Sequence, residues 1–318
     1  MNTFSTIFIS FLAVTLLAQL WLAKRQIHHV LEHRQKVPDI FHGKITQAGH
    51  EKAADYTVTK NRVGIVGEIV GAFILVGWTL AGGLQFLDAS WLTLGLSSVW
   101  HGTLVLLSLF LIGGLLDLPF SIYNTFGVEE RFGFNKSTPR IFITDLVKGT
   151  VLMLLIGGPL LYAVLWLMDS MGDLWWLYVW LLWSSFNLFA IWAYPTFIAP
   201  LFNKFKPLEE GAVRDRVQSL LERCGFKSKG IYVMDGSRRS AHGNAYFTGF
   251  GKNKRIVFFD TLLESLNEAE IEAVLAHELG HFKLRHITKR IVVMFSLSLA
   301  GLALLGWLIK QGWFYAGL

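Results

Sequence analysis

Asn267 to His281 reads NEAEIEAVLAHELGH, and the rest of the chain is best read outward from it. Within it His277, Glu278 and His281 form a His-Glu-x-x-His pattern. Helical spacing puts the two histidines one turn apart on one face, where two imidazoles can grip one metal ion. The stretch carries its own helix start, because Asn267 is a good N-cap and Glu270 follows three residues on, as in a capping box. Ile271, Val274, Leu275, Leu279 and Phe282 recur at three- and four-residue steps, so the helix has an apolar side to bury. Chemistry of the zinc-protease type is what such a helix implies.

The surroundings are those of a membrane. The chain has 318 residues, of which 53% are apolar and only 16% charged, a balance that points to a polytopic membrane protein with a polar portion. Its one cysteine, Cys224, excludes an internal disulfide and a cysteine-based metal cluster. The net charge of +6 does not indicate nucleic acid, since the basic residues lie in loops between hydrophobic runs. Thr3 to Leu22 is long enough to span a bilayer. Lys24 and Arg25 follow it, the reverse of a cleavable signal peptide. The polar stretch from Lys24 to Arg62 holds His28, His29, His33, His42 and His50, whose spacing fits no standard metal site and which read as solvated loop histidines.

Further spans are expected at Gly64 to Leu87 and Leu92 to Leu118, joined by a DASW turn, then at about Lys148 to Leu167, Leu174 to Ala193 and Ile291 to Ile309. Glu68 faces a polar interior if the second span begins where hydropathy starts, and lies at the interface if it begins a few residues later. Gly67 and Gly71 beside it read as a close helix contact. With six alternating spans, segments 24–63, 119–148 and 198–290 share one side and hold 28 of the 29 Lys and Arg residues. By the positive-inside rule that side is cytoplasmic and the N-terminus is outside.

Leu201 to Arg290 is globular in composition. Glu209 to Cys224 has helical periodicity, Ile231 to Met234 suits a short strand, and Ala245 to Phe250 with Arg255 to Asp260 flanks GKNK as a hairpin. Such a hairpin has two compatible uses: an exposed edge on which an extended peptide can pair, and a cover for the helix's apolar face. The expected fold class is mainly α. It comprises a membrane region over 1–197, a small α+β metalloprotease domain over 198–290 and a sixth span within 291–318.

Several motifs together resemble the type I CAAX prenyl proteases, integral-membrane zinc metalloproteases. They are YPTFIAPLFNKFKPLEEG (Tyr194 to Gly211), GSRRSAHGNAYFTGFGKNKRIVFFDTLL (Gly236 to Leu263), AVLAHELGHFKLRH (Ala273 to His286) and FGVEERFGFN (Phe126 to Asn135). The resemblance implies a polytopic helical barrel enclosing a chamber, with zinc facing inward, a picture that Glu68 fits. It implies His277 and His281 as zinc ligands, Glu278 as the catalytic glutamate, and Asn244, Ala245 and Tyr246 as the strand that binds substrate. The family's third zinc ligand is a glutamate on a helix beyond a seventh span. His286, five residues past His281, reads as lying on a different helix face, so this length of chain is expected to be shortened and to hold metal weakly.

The implied function is zinc-dependent hydrolysis of a peptide or protein substrate, prenylated or similar, near its C-terminus and at a lipid bilayer of bacterial inner-membrane or ER type. A bacterial membrane quality-control zinc protease is the alternative enzyme. A catalytically silent scaffold is the alternative from another class.

Overall fold

A backbone that crosses lipid must satisfy its own N–H and C=O groups, so the apolar runs are bound to be helical. The computed structural model describes residues 3–226, 228–248 and 255–315. Among them six helices are long and apolar enough to cross a membrane: Thr3–Glu32, Gln47–Thr79, Ser98–Glu129, Pro139–Ser170, Gly172–Phe202 and His286–Leu308. The chain is an integral, multi-pass membrane protein of mainly α class with a small sheet, as expected. It divides into two compact units.

The first unit comprises the chain up to Gly133, Gly157–Leu165 and the residues from Trp307. Its α1 (Thr3–Glu32) packs along α2 (Gln47–Thr79). Beyond the end of α1, Arg34 grips Asp55 of α2 through both oxygens at 2.8 and 2.9 Å, with Glu51 at 3.2 Å. Three expectations are corrected here. The second span stops at Thr79, because Gly82 turns the backbone into the left-handed region at φ 82°. The DASW residues then lie inside α3 (Gly83–Leu92), not in a turn, and Asp88 reaches His101 of α4 (Ser98–Ile122) at 2.7 Å. The first helix also runs ten residues past Leu22, so His28 and His29 are helical and not loop residues, and His50 is helical too, in the first turn of α2. Glu68 borders a cavity of about 580 Å³ with Gln19, Gln26, Lys60 and Asn61, the polar setting that a carboxylate in a spanning helix needs.

The second unit comprises Phe134–Ile156 and Trp166–Gly306. It contains α5 (Pro139–Leu152) and the last five residues of α6 (Gly158–Ser170), and α7 (Trp175–Ala193) runs on through a wide turn into α8 (Ala199–Phe202). The sheet follows: β1 (Phe205–Pro207), β2 (Ile231–Met234), β3 (Ala245–Thr248) and β4 (Arg255–Phe259), in the order β1-β2-β4-β3. The expected hairpin is present, with Ala245 opposite Phe258 and Phe247 opposite Ile256. Its GKNK turn lies outside the described residues. β2 runs parallel to β4 and antiparallel to β1.

Alternation along these strands decides which side is core. Ala245, Ile256 and Phe258 are buried against α9 (Ala212–Arg223), through Val217, Leu220 and Leu221, and against α11 (Glu268–Lys283), through Ile271, Leu275 and Leu279. Leu262 of α10 (Asp260–Ser265) closes the same core. Ile271 and Leu275 are each 1% exposed, and burying such a side chain contributes about 1.5–3 kcal/mol. Within this unit α12 (His286–Leu308) meets α7, where the Trp180 indole donates to the Phe295 carbonyl at 3.0 Å.

Candidate metal and substrate site

Capping and burial fix α11 before any ligand is considered. The Asn267 side chain accepts from the amides of Ala269 and Glu270, and the Glu270 carboxylate accepts from the Asn267 amide at 2.9 Å. This is the reciprocal capping box, worth about 1 kcal/mol. Ile271, Leu275 and Leu279 then hold one face in the core. Residues two positions beyond Leu275 and Leu279 lie nearly opposite on a 3.6-residue helix. They are His277 and His281, and both are exposed.

The two Nε2 atoms are 3.1 Å apart, with the rings edge-to-face. Two imidazole nitrogens bound to one tetrahedral zinc at 2.0–2.1 Å stand about 3.3 Å apart, so the pair fits such an ion. Glu278, half-buried, occupies the adjacent position on the helix. The Phe282 side chain, expected on the apolar face, lies outside the described residues.

His286 is closer to this pair than the sequence suggests. Only on one continuous helix would His286 lie on a different face. Instead α11 ends at Lys283, and Arg285 adopts φ 55°, the left-handed conformation that costs a side-chain-bearing residue about 1 kcal/mol. The reversal brings His286 Nδ1 within 2.8 Å of His281 Nδ1. It therefore meets the nitrogen of His281 that faces away from His277. One Nδ1–H donates to the other ring, which fixes how His281 is turned without adding a donor to the Nε2 pair. Among the described residues, no third His, Cys, Asp or Glu side chain groups with that pair within 4.8 Å. Neither Gly nor Pro marks the break, so no sequence signal announces it.

The strand expected to hold substrate lies beside this helix. Asn244 precedes β3, its carbonyl accepting from the Phe259 amide at 2.9 Å and its side chain from the Ala245 amide at 2.8 Å. Ala245 points into the core, and Tyr246 points to the other face, where burial raises its phenol above the ordinary range. There Tyr246 lines a cavity of about 490 Å³ with Tyr232, Lys204, Lys206 and Arg255. β3 is the last strand in the described sheet and packs against α11.

The loop ahead of β3 is held on three sides. A Cβ on Gly236 would come within 2.6 Å of the Phe259 ring, so that position admits glycine only. Arg239 binds both oxygens of Asp145, at 2.6 and 3.0 Å, and the Asn203 side chain at 2.9 Å. Phe134 stacks on His242 at 4.3 Å while its carbonyl accepts from the Ala241 amide, so the end of the FGFN motif is tied to the RRSAH run. Both motifs are legible in the sequence, but their contact is not.

Asp260 braces the same loop. Burial pushes its carboxyl up, but the Ser237 hydroxyl and the amides of Ser237, Thr261 and Gly236 outweigh that and hold it below the usual range. A depressed carboxyl contributes stability that is present at neutral pH and is lost as pH falls through its folded value. Asp260→Asn should therefore cost about 1–2 kcal/mol at pH 7. Thermal melting at pH 7 and in acid checks this, with the gap from wild type closing in acid.

The family profile described as CAAX prenyl protease N-terminal, five membrane helices, matches residues 26–204. That of peptidase family M48 matches 207–314. The chain is 39% identical to CAAX prenyl protease 1 homolog of Arabidopsis thaliana over 266 residues, covering 79% of this chain and 61% of the relative. It is 37% identical to CAAX prenyl protease 1 of Saccharomyces cerevisiae over 285 residues, covering 86% and 62%. It thus spans about three fifths of the length of these relatives. The crystal structure of S. mikatae Ste24p superposes with a TM-score of 0.91 at 32% identity, over 99% of this chain and 74% of that one.

Proposed function

From the premise that the chain belongs to the CAAX prenyl protease family of M48 peptidases, we propose that it is a zinc-dependent endopeptidase acting at the membrane on C-terminal, CAAX-type peptides bearing a lipid. The observation that carries this reading is the 3.1 Å approach of the His277 and His281 Nε2 atoms on the exposed face of a helix whose other face is locked in a core. Those imidazoles supply two of the three protein ligands that catalytic zinc takes. Bound there, zinc supplies Lewis acidity toward the scissile carbonyl and the attacking water.

The remaining steps belong to the protein. Glu278 takes the proton of the attacking water and returns it to the leaving amine. His286 holds the His281 ring through its Nδ1. Asn244, Ala245 and Tyr246 keep the peptide extended along β3, where main-chain hydrogen bonds give affinity and alternate side-chain positions give selectivity. Residues 198–290 form the metalloprotease part within this reading, between the membrane region before it and the sixth span after it. A quality-control protease and a silent scaffold lack the support that the relatives' names lend to CAAX processing.

A farnesylated CAAX peptide and its unmodified counterpart test the proposal. Hydrolysis near the C-terminus that favours the lipidated peptide and stops with a chelator is expected. Turnover indifferent to the chelator would overturn the metal mechanism.

The catalytic side is proposed to be cytoplasmic, because 28 of 29 basic residues share it. Cys224 is a ready probe, being the chain's one cysteine and exposed. A membrane-impermeant maleimide should label it in inside-out vesicles and not in intact cells. The reverse pattern would invert the topology.

A further inference from the structure

A group of side chains of metal-ligating type lies at the end of α1, in the first unit. His29, Glu32 and His33 follow i, i+3, i+4 spacing, which places all three on one helical face. One ligand atom from each lies within 4.8 Å of the other two, and all three residues are exposed. The two rings stand 4.3 Å apart. We propose that these residues form a divalent transition-metal site separate from the His277–His281 pair.

Four features prepare the group for a cation. The His33 Nδ1–H donates to the His29 carbonyl at 2.9 Å, so in the neutral ring the lone pair is on Nε2. Metal-bound histidines are commonly held in this way, with the other ring nitrogen donating to a carbonyl. The ring's own backbone is anchored as well, since the His33 carbonyl accepts from His50 Nε2 of α2 at 3.0 Å. Finally, the neighbouring cation Arg34 is paired with Asp55 and Glu51, which offsets its repulsion of an incoming ion. The last turn of α1 also presents the negative end of a helix dipole.

Two imidazoles with one carboxylate suit Zn²⁺, Co²⁺, Ni²⁺ or Cu²⁺, and suit Mg²⁺ or Ca²⁺ poorly. Donors around such an ion stand about 3.3 Å apart, so from separations of 4.8 Å or less the side chains need close by about 1.5 Å at most. Exposed rotamers allow this, and water would fill the remaining positions.

Cobalt titration of the untagged chain in detergent tests the site, read by the Co²⁺ visible spectrum and by calorimetry. The background is His277→Ala with His281→Ala, which silences the other histidine pair. One equivalent of Co²⁺ should still bind, and Zn²⁺ should displace it. His29→Ala, which leaves the His33 hydrogen bonds untouched, should weaken binding at least tenfold, and His29→Ala with His33→Ala should abolish it. Glu32→Gln should weaken it to a similar degree. Each variant should keep the parent's circular dichroism spectrum. No binding in the background protein would overturn the site, as would affinity unchanged by the histidine substitutions. Unchanged affinity in Glu32→Gln would overturn the three-ligand set.

Discussion

Glu278→Gln should lower peptide hydrolysis by two to four orders of magnitude while leaving zinc binding nearly intact. Glutamine matches glutamate in shape but cannot take a proton from water, and general base catalysis contributes about 10²–10⁴-fold. In the proposed mechanism the base is not a ligand, so His277 and His281 should hold the ion as before. The comparison calls for a form of the protein that turns over a prenylated peptide, with metal content measured on both proteins. Wild-type turnover by the variant would remove Glu278 from the mechanism. Loss of metal together with turnover would assign it a structural role.

Leu275→Ala should be a strongly damaging truncation outside the chemistry. Leu275 is 1% exposed, at the junction of α11, α9 and the sheet. Removing a buried leucine to the β-carbon costs about 2–5 kcal/mol, because the cavity only partly collapses. His277 stands two residues away on the same helix, so a shift of α11 should also weaken metal binding. Leu275→Met, which conserves volume, should cost less than about 1.5 kcal/mol and restore metal affinity. Melting temperature and zinc affinity, taken on both variants, check this. Equal effects from Ala and Met would deny that packing positions the helix.

Local signals were legible wherever one segment carried them. The capping box of Asn267 and Glu270 and the Ile271–Leu275–Leu279 face are properties of a single helix, and both appear in the structure. The six apolar runs became six long helices because length and hydropathy decide that question. What stayed hidden needed knowledge of a distant partner or of a conformational exception. β1 is three residues long and ends in Pro207, and it exists because β2 offers an edge to it. The parallel pairing of β2 with β4 joins segments more than twenty residues apart. His286 comes near His281 through a left-handed arginine, a choice that residue propensities disfavour. The DASW segment holds turn-forming residues, yet the break came earlier, at Gly82.

The position of β4 has a consequence for hydrogen exchange. It pairs on both sides, with β2 and with β3, and Ile256 and Phe258 are fully buried. Its amides and those around Leu275 share one core, so they should open together, with the slowest exchange in this unit. Among the described residues β3 pairs on one side only, and its outward amides should exchange far sooner. A peptide that adds a strand there would slow the exchange of the Ala245 and Phe247 amides, which face away from β4, and leave β4 unchanged, so deuterium uptake at one strand would report occupancy of that edge whether or not the bond is cut.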